Sequence, residues 1–498
     1  MSRTVRGPLA ALIVLGTSLG LLVTAGPARA LPPLPTATND PALASKVAGV
    51  LKDSRVTKAT VGVVIADSVS GTELYGKAAT TALKPASNMK LLTAAAALDL
   101  LGPDSRFSTE VYAAGAPAGN GTVSRLYLRG NGDPTLRESD LKSLAQQVKA
   151  AGVTRVTGSV VGDGGFFDGD KYNDYWDAKD YNNAYAAQVS GLTLSPSSAL
   201  RVGTLNVTYK PGSKSGKKAV LGLVPALASG YVKLVNKVTT KKAGSGASVS
   251  VRRSNGNTIT VSGRVALKRA TATKVITINQ PAGYAVHVFT GMLRSLGVRV
   301  DGAATIGSTP TTRVRLASDT SVPLSTIVKL LLKPSNNGMT EHLIKTLGRV
   351  GDKAGTWTAG SARVLKWLKT TQSVPTNLKI VDGSGLAHAN RLTSRVLVRV
   401  LQYARTRDWF PTFYDALPVA GNPDPAIGGT LTDRMVNTAA QNNLRAKTGT
   451  LTGVTALSGY VADKTGRLYT FSMLGSYKTN SPRVVFDKVG ATLAGWSG

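Results

Sequence analysis

Pro85-Ala86-Ser87-Asn88-Met89-Lys90, followed by the apolar run Leu91 to Leu101, decides how this 498-residue chain is read. A serine and a lysine three residues apart open a segment of helical composition. At that spacing two helical side chains share one face, about one turn apart. The lysine amine is thereby held beside a serine hydroxyl, which is a poor nucleophile until a neighbouring base takes its proton. Pro85 biases Lys84 away from helical geometry, so a helix is expected to begin close to Ser87 and to stop at Gly102. Its body, Leu91 to Leu98, is small and apolar almost all round, as in a buried helix. Ser87 and Lys90 then sit at its mouth, where water is limited.

The same pattern occurs twice more. Ser139-Asp140-Leu141-Lys142 lies on a polar, amphipathic stretch, and Ser215-Gly216-Lys217-Lys218 lies in a Gly/Ser/Lys loop with no helix after it. Both read as solvated surface pairs. Two downstream motifs single out Ser87. Ser335-Asn336-Asn337 offers a hydroxyl and two amides in a tight turn, able to shuttle a proton and grip a substrate amide. Lys447-Thr448-Gly449-Thr450 follows Arg445-Ala446 on a strand; Lys447 and the threonine hydroxyls can hold a carboxylate, and Gly449 is expected to let a ligand approach the backbone. The second Lys-Thr-Gly, Lys464-Thr465-Gly466, falls between two apolar strands and reads as a hairpin turn.

Composition narrows the chemistry. Without cysteine there is neither disulfide nor thiolate metal site. Three histidines (His287, His342, His388) and no His-Glu-x-x-His argue against a zinc enzyme, so no metal or cofactor is expected. Arg3 and Arg6, the apolar stretch Leu9 to Val23, and Ala28-Arg29-Ala30 have the form of a secretory signal ending at Ala30. An exported protein, wall-associated or secreted, is expected. The formal net charge is +33. From Arg201 to Lys274 there is no Asp or Glu, while Lys217, Lys218, Lys241, Lys242, Arg252, Arg253, Lys268 and Arg269 are all basic. Such patches usually suggest nucleic acid. Export points instead to anionic wall polymers or lipid head groups, with solvated strand faces as the plainer reading.

The chain is long enough for more than one domain. Residues 1–30 read as a signal, 31–40 as a Pro/Thr-rich linker, and Thr60 to Asp67 as a strand with its return at Glu73 to Tyr75. From Phe107 short β-runs recur between turn-rich segments. Residues 107–307 are therefore expected to be an inserted β-rich region of two subdomains, dividing a discontinuous domain made of 41–106 and 308–498. Helices at Leu324 to Leu332, Met339 to Gly348, Trp357 to Leu368 and Thr393 to Arg405 precede strands at Leu444 to Lys447, Val454 to Ala462 and Leu468 to Leu474. The expected fold is α/β: a sheet between helices, built from both ends of the chain, plus the mainly-β insertion.

In this order the three motifs resemble the penicillin-recognising serine acyl-transferases, with their S-x-x-K, S-D-N and K-T-G set; Asn336 stands where the middle Asp would be. The long gap between Ser87 and Ser335 is similar to that of the class C low-molecular-mass penicillin-binding proteins, the D-alanyl-D-alanine carboxypeptidase/endopeptidase family S13. The Leu128 to Leu136, Gly162 to Asp168 and Asp382 to Leu386 stretches agree. The resemblance implies a penicillin-binding, serine β-lactamase-like transpeptidase domain, and peptidoglycan D-Ala-D-Ala peptides as substrates with β-lactams as covalent inhibitors. It assigns Ser87 as nucleophile, Lys90 as its base, Ser335 as proton relay to the leaving amine, Asn337 as a bond to the substrate amide, and Lys447 as the group that polarises the relay. Thr448 and Thr450 would hold the terminal carboxylate, and the backbone N–H groups of Ser87 and Thr450 would form the oxyanion hole. Asp180, with Tyr185, is the implied recogniser of the amino end of a stem-peptide side chain. Gly385-Leu386-Ala387-His388 and Ser190-Gly191-Leu192-Thr193 depart from the family pattern. The alternatives are a serine β-lactamase, for which no deacylating base is evident, and a non-catalytic wall-binding or β-lactam-sensing protein.

Overall fold

The computed structural model describes residues 40–196, 200–254, 256–371 and 377–498. The segment read as a signal and nearly all of the linker lie outside them. Asp40 caps the first helix, α1 (Pro41–Val50), by accepting the Leu43 N–H at 2.9 Å. β1 (Thr60–Asp67) and β2 (Glu73–Lys77) form an antiparallel pair. Only Thr60 of β1 is exposed, so this strand is covered on both faces. A single 3₁₀ turn, Ala86–Asn88, then feeds α2 (Met89–Leu101). Every residue from Met89 to Leu98 is buried, and Gly102 ends the helix at φ +87°. Each buried leucine here contributes about 1.5–3 kcal/mol.

Beyond Phe107 the chain leaves this sheet. It forms β3 (Ser108–Ala113), β4 (Leu126–Gly130), α3 (Glu138–Ala150) and β5 (Val160–Asp163). Six strands follow: β6 (Thr204–Lys210), β7 (Val220–Val224), β8 (Lys233–Lys241), β9 (Ala247–Arg253), β10 (Thr258–Ala266) and β11 (Ala272–Thr277). Then come α4 (Pro281–Ser295), β12 (Ala304–Ile306) and β13 (Val314–Thr320). The main sheets have the orders β12-β5-β4-β3-β13, β8-β10-β9 and β11-β6-β7. One hydrophobic core, including Leu128, Leu141, Val160, Val207, Val261 and Phe289, joins all of them and both helices. The two expected subdomains therefore share a core. The expected boundary at 307 also falls one strand short, because β13 pairs with β3 from Thr320 opposite Ser108 to Val314 opposite Ala113. That strand, Val-Arg-Leu-Ala-Ser-Asp-Thr, buries only Ala317 and so carries little apolar alternation.

The chain returns through α5 (Leu324–Leu332), α6 (Asn337–Asp352), α7 (Trp357–Thr371) and α8 (Ser394–Arg405). β14 (Arg445–Leu451), β15 (Val454–Ala462), β16 (Leu468–Ser476) and α9 (Arg483–Ala494) complete it. The sheet runs β14-β15-β16-β1-β2, every pair antiparallel, with Thr60 opposite Ser476 and Asp67 opposite Tyr469. One of its faces packs on α2 and α5 to α8 through Leu92, Ile344, Leu397, Tyr460 and Leu474. The other packs on α1 and α9 through Leu43, Val63, Phe471 and Phe486. The sheet is thus held between helices and made from both ends of the chain. Among the described residues no helix is long and apolar enough to cross a membrane.

Candidate active site

The turn that carries Ser87 is clamped from two sides. Ala86 sits at φ +45°, a left-handed conformation that costs a non-glycine residue energy and is kept only where the surroundings impose it. On one side lies Gly385, at φ +80°; a Cβ there would fall 1.8 Å from the Ala86 carbonyl oxygen. On the other side lies β14. Asn88 donates through Nδ2 to the Lys447 carbonyl at 2.9 Å, and the Ser458 hydroxyl donates to Asn88 Oδ1 at 2.5 Å. A Cβ at Gly449 would lie 2.9 Å from the Pro85 carbonyl and 3.2 Å from Ala86 Cβ. The expected ligand approach at Gly449 is thus corrected: the side that Cβ would occupy is filled by the nucleophile turn itself.

Lys90 is wholly buried. Its Nζ lies 3.0 Å from Ser87 Oγ, 2.7 Å from Asn337 Oδ1 and 2.8 Å from the Ser384 carbonyl. Burial lowers its pKa from 10.5 to about 7, against the opposing pull of Glu341 and Asp382. Ser87 itself is partly exposed at the end of this cluster. Lys447, also wholly buried, donates to the Thr448 carbonyl at 3.0 Å. Burial, then the positive charges of Lys90 and Arg434, hold it well below the ordinary lysine range.

Ser335, at φ +60°, makes the sharp turn between α5 and α6. Asn336 caps α6: its Oδ1 accepts from Met339 N at 3.2 Å while its Nδ2 donates to the Leu200 carbonyl at 2.9 Å. An amide serves both directions where a carboxylate could only accept, which accounts for Asn at this position. Asn337 opens α6 and turns its Oδ1 to Lys90. Ser335 and Asn337 line one cleft of about 710 Å³ together with Tyr185, Arg201, Lys329 and Lys333. Among the described residues the Ser335 hydroxyl makes no hydrogen bond to Ser87, Lys90 or Lys447. Thr448 is buried and its hydroxyl donates to Thr430 Oγ1 at 2.8 Å, whereas Thr450 is exposed.

Asp180 and Tyr185 meet: the tyrosine hydroxyl donates to Asp180 Oδ1 at 2.7 Å. Burial and this bond push the Tyr185 phenol up to about 12. The Tyr185 carbonyl accepts Asn337 Nδ2 at 2.9 Å, tying the pair to the reactive cluster. The decoys lie elsewhere. Ser139 donates to its neighbour Asp140, Ser215 and Lys218 are exposed, and Gly466 turns the β15–β16 connection at φ +87°.

Two carboxylates escaped the sequence reading as parts of this site. Glu341, one turn beyond Asn337 on α6, is wholly buried and accepts N–H bonds from Gly383, Ser384 and Trp357. Burial, reinforced by Asp382, raises its pKa. Asp382 accepts from Gly385, Ala387, Asn390 and Trp176. Together they shape the 383–385 loop so that the Ser384 carbonyl reaches Lys90. The i, i+4 spacing of Asn337 and Glu341 was the available signal.

Comparison with known proteins places the chain in a family. The family model described as D-Ala-D-Ala carboxypeptidase 3 (S13) matches residues 43–493. A D-alanyl-D-alanine carboxypeptidase of Actinomadura sp. strain R39 is 39% identical over 460 residues, covering 92% of this chain and 85% of that protein. The carboxypeptidase DacB of Mycolicibacterium smegmatis is 26% identical, covering 86% of this chain and 79% of its own. The crystal structure of penicillin binding protein 4 from Haemophilus influenzae shares the fold, with a TM-score of 0.76 at 22% identity, covering 89% of this chain and 97% of that one. From the family match across nearly the whole described chain, and from the relative at 39% identity, it follows that this protein belongs to the D-Ala-D-Ala carboxypeptidase 3 (S13) family.

Proposed function

We propose that this protein is an exported serine-type D-Ala-D-Ala carboxypeptidase acting on peptidoglycan stem peptides through a Ser87 acyl-enzyme, and that β-lactams inhibit it by acylating the same serine. The observation that carries this reading is the environment of Lys90. Its amine has three neighbours, and two of them, Asn337 Oδ1 and the Ser384 carbonyl, can only accept. A neutral amine has two N–H bonds and one lone pair. Once Lys90 is neutral, those two acceptors take the N–H bonds and the lone pair is left for the Ser87 hydroxyl. A pKa near 7 makes that state available at neutral pH.

Ser87 Oγ then attacks the penultimate carbonyl as its proton passes to Lys90. The carbonyl oxygen becomes an oxyanion held by the N–H groups of Ser87 and Thr450, each worth roughly 10²–10³ in rate. The C–N bond breaks, the amine of D-alanine takes a proton through Ser335, and water hydrolyses the ester. Asn337 grips the substrate amide, Lys447 polarises the relay, and Thr448 and Thr450 line the carboxylate side. Asp180 with Tyr185 receives the cationic end of the stem-peptide side chain. The cleft lined by Ser335, Asn337, Lys329, Lys333 and Arg201 is the side on which the leaving group would depart.

A serine β-lactamase needs a carboxylate or equivalent base facing the hydrolytic water. Glu341 and Asp382 are both wholly buried and already bonded by N–H donors, so neither supports that alternative. The basic inserted region would hold the enzyme to anionic wall polymer. Intact-mass analysis after exposure to a fluorescent penicillin, followed by peptide mapping, tests the central assignment. One adduct on the peptide containing Ser87 is expected; an adduct on Ser139 or Ser215 would overturn it.

A further inference from the structure

Between Asp180 and Asp301 the chain has seventeen Lys and Arg residues and no Asp or Glu. Composition alone does not say where those charges point, but strand register does. β8 exposes Lys233, Lys237 and Lys241, each four residues from the next, while Val238 and Thr240 on its opposite face are buried. β10 lies parallel beside β8 and sets Arg264 opposite Thr239. β9 lies antiparallel on the far side of β10 and sets Arg252 opposite Thr260. At the free edge of β8, Lys218 bridges Thr239. Residues directly opposite one another share a face. Lys218, Lys233, Lys237, Lys241, Arg252 and Arg264 therefore all stand on one exposed face, and Ser250, Thr260 and Ser262 fill positions between them. The reverse face is anchored in the core by Val238, Ile259, Val261 and Val265.

None of the six cations has a carboxylate partner among the described residues. Along β8 the lysines are about 13 Å apart, and adjacent strands are separated by about 4.8 Å. The charged area is therefore longer than any small anion. We propose that this β8-β10-β9 face is a docking surface for a linear polyanion of phosphodiester type, with the lysines and arginines meeting its charges and the hydroxyls bonding its oxygens. A membrane surface is the weaker fit, because among the described residues no aromatic side chain is exposed on this face and Val220, beside Lys218, is a single apolar side chain amid cations, too little for insertion between lipids. The surface shares no residue with the Ser87 cluster, so the inference stands apart from the catalytic reading.

The test uses the full mature chain, long-chain inorganic polyphosphate as the probe, and vesicles of phosphatidylglycerol as the competing surface. Polyphosphate affinity is expected to fall by on the order of 10³-fold between 50 and 200 mM salt, as counterion release by about six contacts requires. The combined variant Lys237→Glu, Lys241→Glu and Arg264→Glu should bind at least tenfold more weakly at low salt, with the rate of β-lactam acylation unchanged. An equal charge reversal elsewhere, Lys46→Glu, Lys366→Glu and Lys369→Glu, should retain most of the affinity. Equal losses in the two variants would show that net charge, not this face, is responsible, and would overturn the proposal. So would salt-independent binding, or binding to vesicles without binding to polyphosphate. If the first variant also loses acylation, the set Lys237→Gln, Lys241→Gln and Arg264→Gln decides, and parental affinity in that set refutes the surface.

Discussion

Lys90 makes a quantitative statement about pH. An ordinary lysine has a pKa of 10.5, and burial in this site brings Lys90 to about 7. A base must be neutral to accept the Ser87 proton, so acylation should follow the neutral fraction of Lys90. That fraction is near one above pH 8, about a half at pH 7, and about 1% at pH 5. The second-order rate constant for acylation by a fluorescent penicillin should therefore fall about 100-fold from pH 8 to pH 5, with a slope of about one decade per unit. At an ordinary lysine pKa, less than about 0.1% would be neutral at pH 7 and the rate would still climb beyond pH 10. Glu341→Gln sharpens the test. Its carboxylate favours the ammonium form, so removing the charge should move the inflection to lower pH, by on the order of one unit. The same change sets an amide N–H against one of the three N–H donors that Glu341 accepts, and should cost about 1–3 kcal/mol of stability in thermal or urea unfolding. A profile flat from pH 5 to 8, an inflection near 10, or an alkaline shift in the Gln variant would refute Lys90 as the base.

Two further outcomes test the choice of strand and the side-chain subsite. Lys447→Ala should lower acylation by at least tenfold, while Lys464→Ala in the β15–β16 turn should leave it unchanged; rate constants with the same penicillin check this, and the reverse pattern would show that the wrong Lys-Thr-Gly was chosen. Asp180→Asn should raise KM at least tenfold for stem peptides whose side chain ends in an ammonium, with little change for an N-acetylated side chain. An equal effect on both peptides would remove Asp180 from substrate recognition.

The parts of this molecule that could be read in the sequence are those whose cause is local. Leu324–Leu332 and Val454–Ala462 have the bounds expected from their apolar patterns, and Gly102 stops α2 where a left-handed residue was needed. The reactive cluster was legible for a related reason: Ser87 and Lys90 are one helical turn apart, so their contact does not depend on the rest of the fold. β7 and β8 carry little strand signal. Lys-Leu-Val-Asn-Lys-Val-Thr-Thr-Lys has a half-exposed inner row and a lysine outer row, so its alternation is faint. Glu341 escaped for a different reason. Two of its three partners, Gly383 and Ser384, lie more than forty residues onward, in a loop that Asp382 ties to Trp176. Gly449 was read for its freedom alone, whereas its constraint comes from Pro85, which only the assembled sheet brings near.

The sheet's strand order also governs when the enzyme comes into being. β1 hydrogen-bonds to β16, with Thr60 opposite Ser476, so its principal neighbour is made more than four hundred residues later. Closing so long a loop must precede any reward from the pairing, which slows folding. Until then the Ser87 turn lacks the Lys447 carbonyl that Asn88 grips, and Lys90 lacks the Asn337 and Ser384 oxygens that position its amine. A chain emerging from its N-terminus thus carries its nucleophile early but cannot activate it until nearly the last strand has arrived. Partial chains, whether stalled or truncated, are therefore expected to be chemically silent, with Ser87 becoming reactive only in the finished molecule.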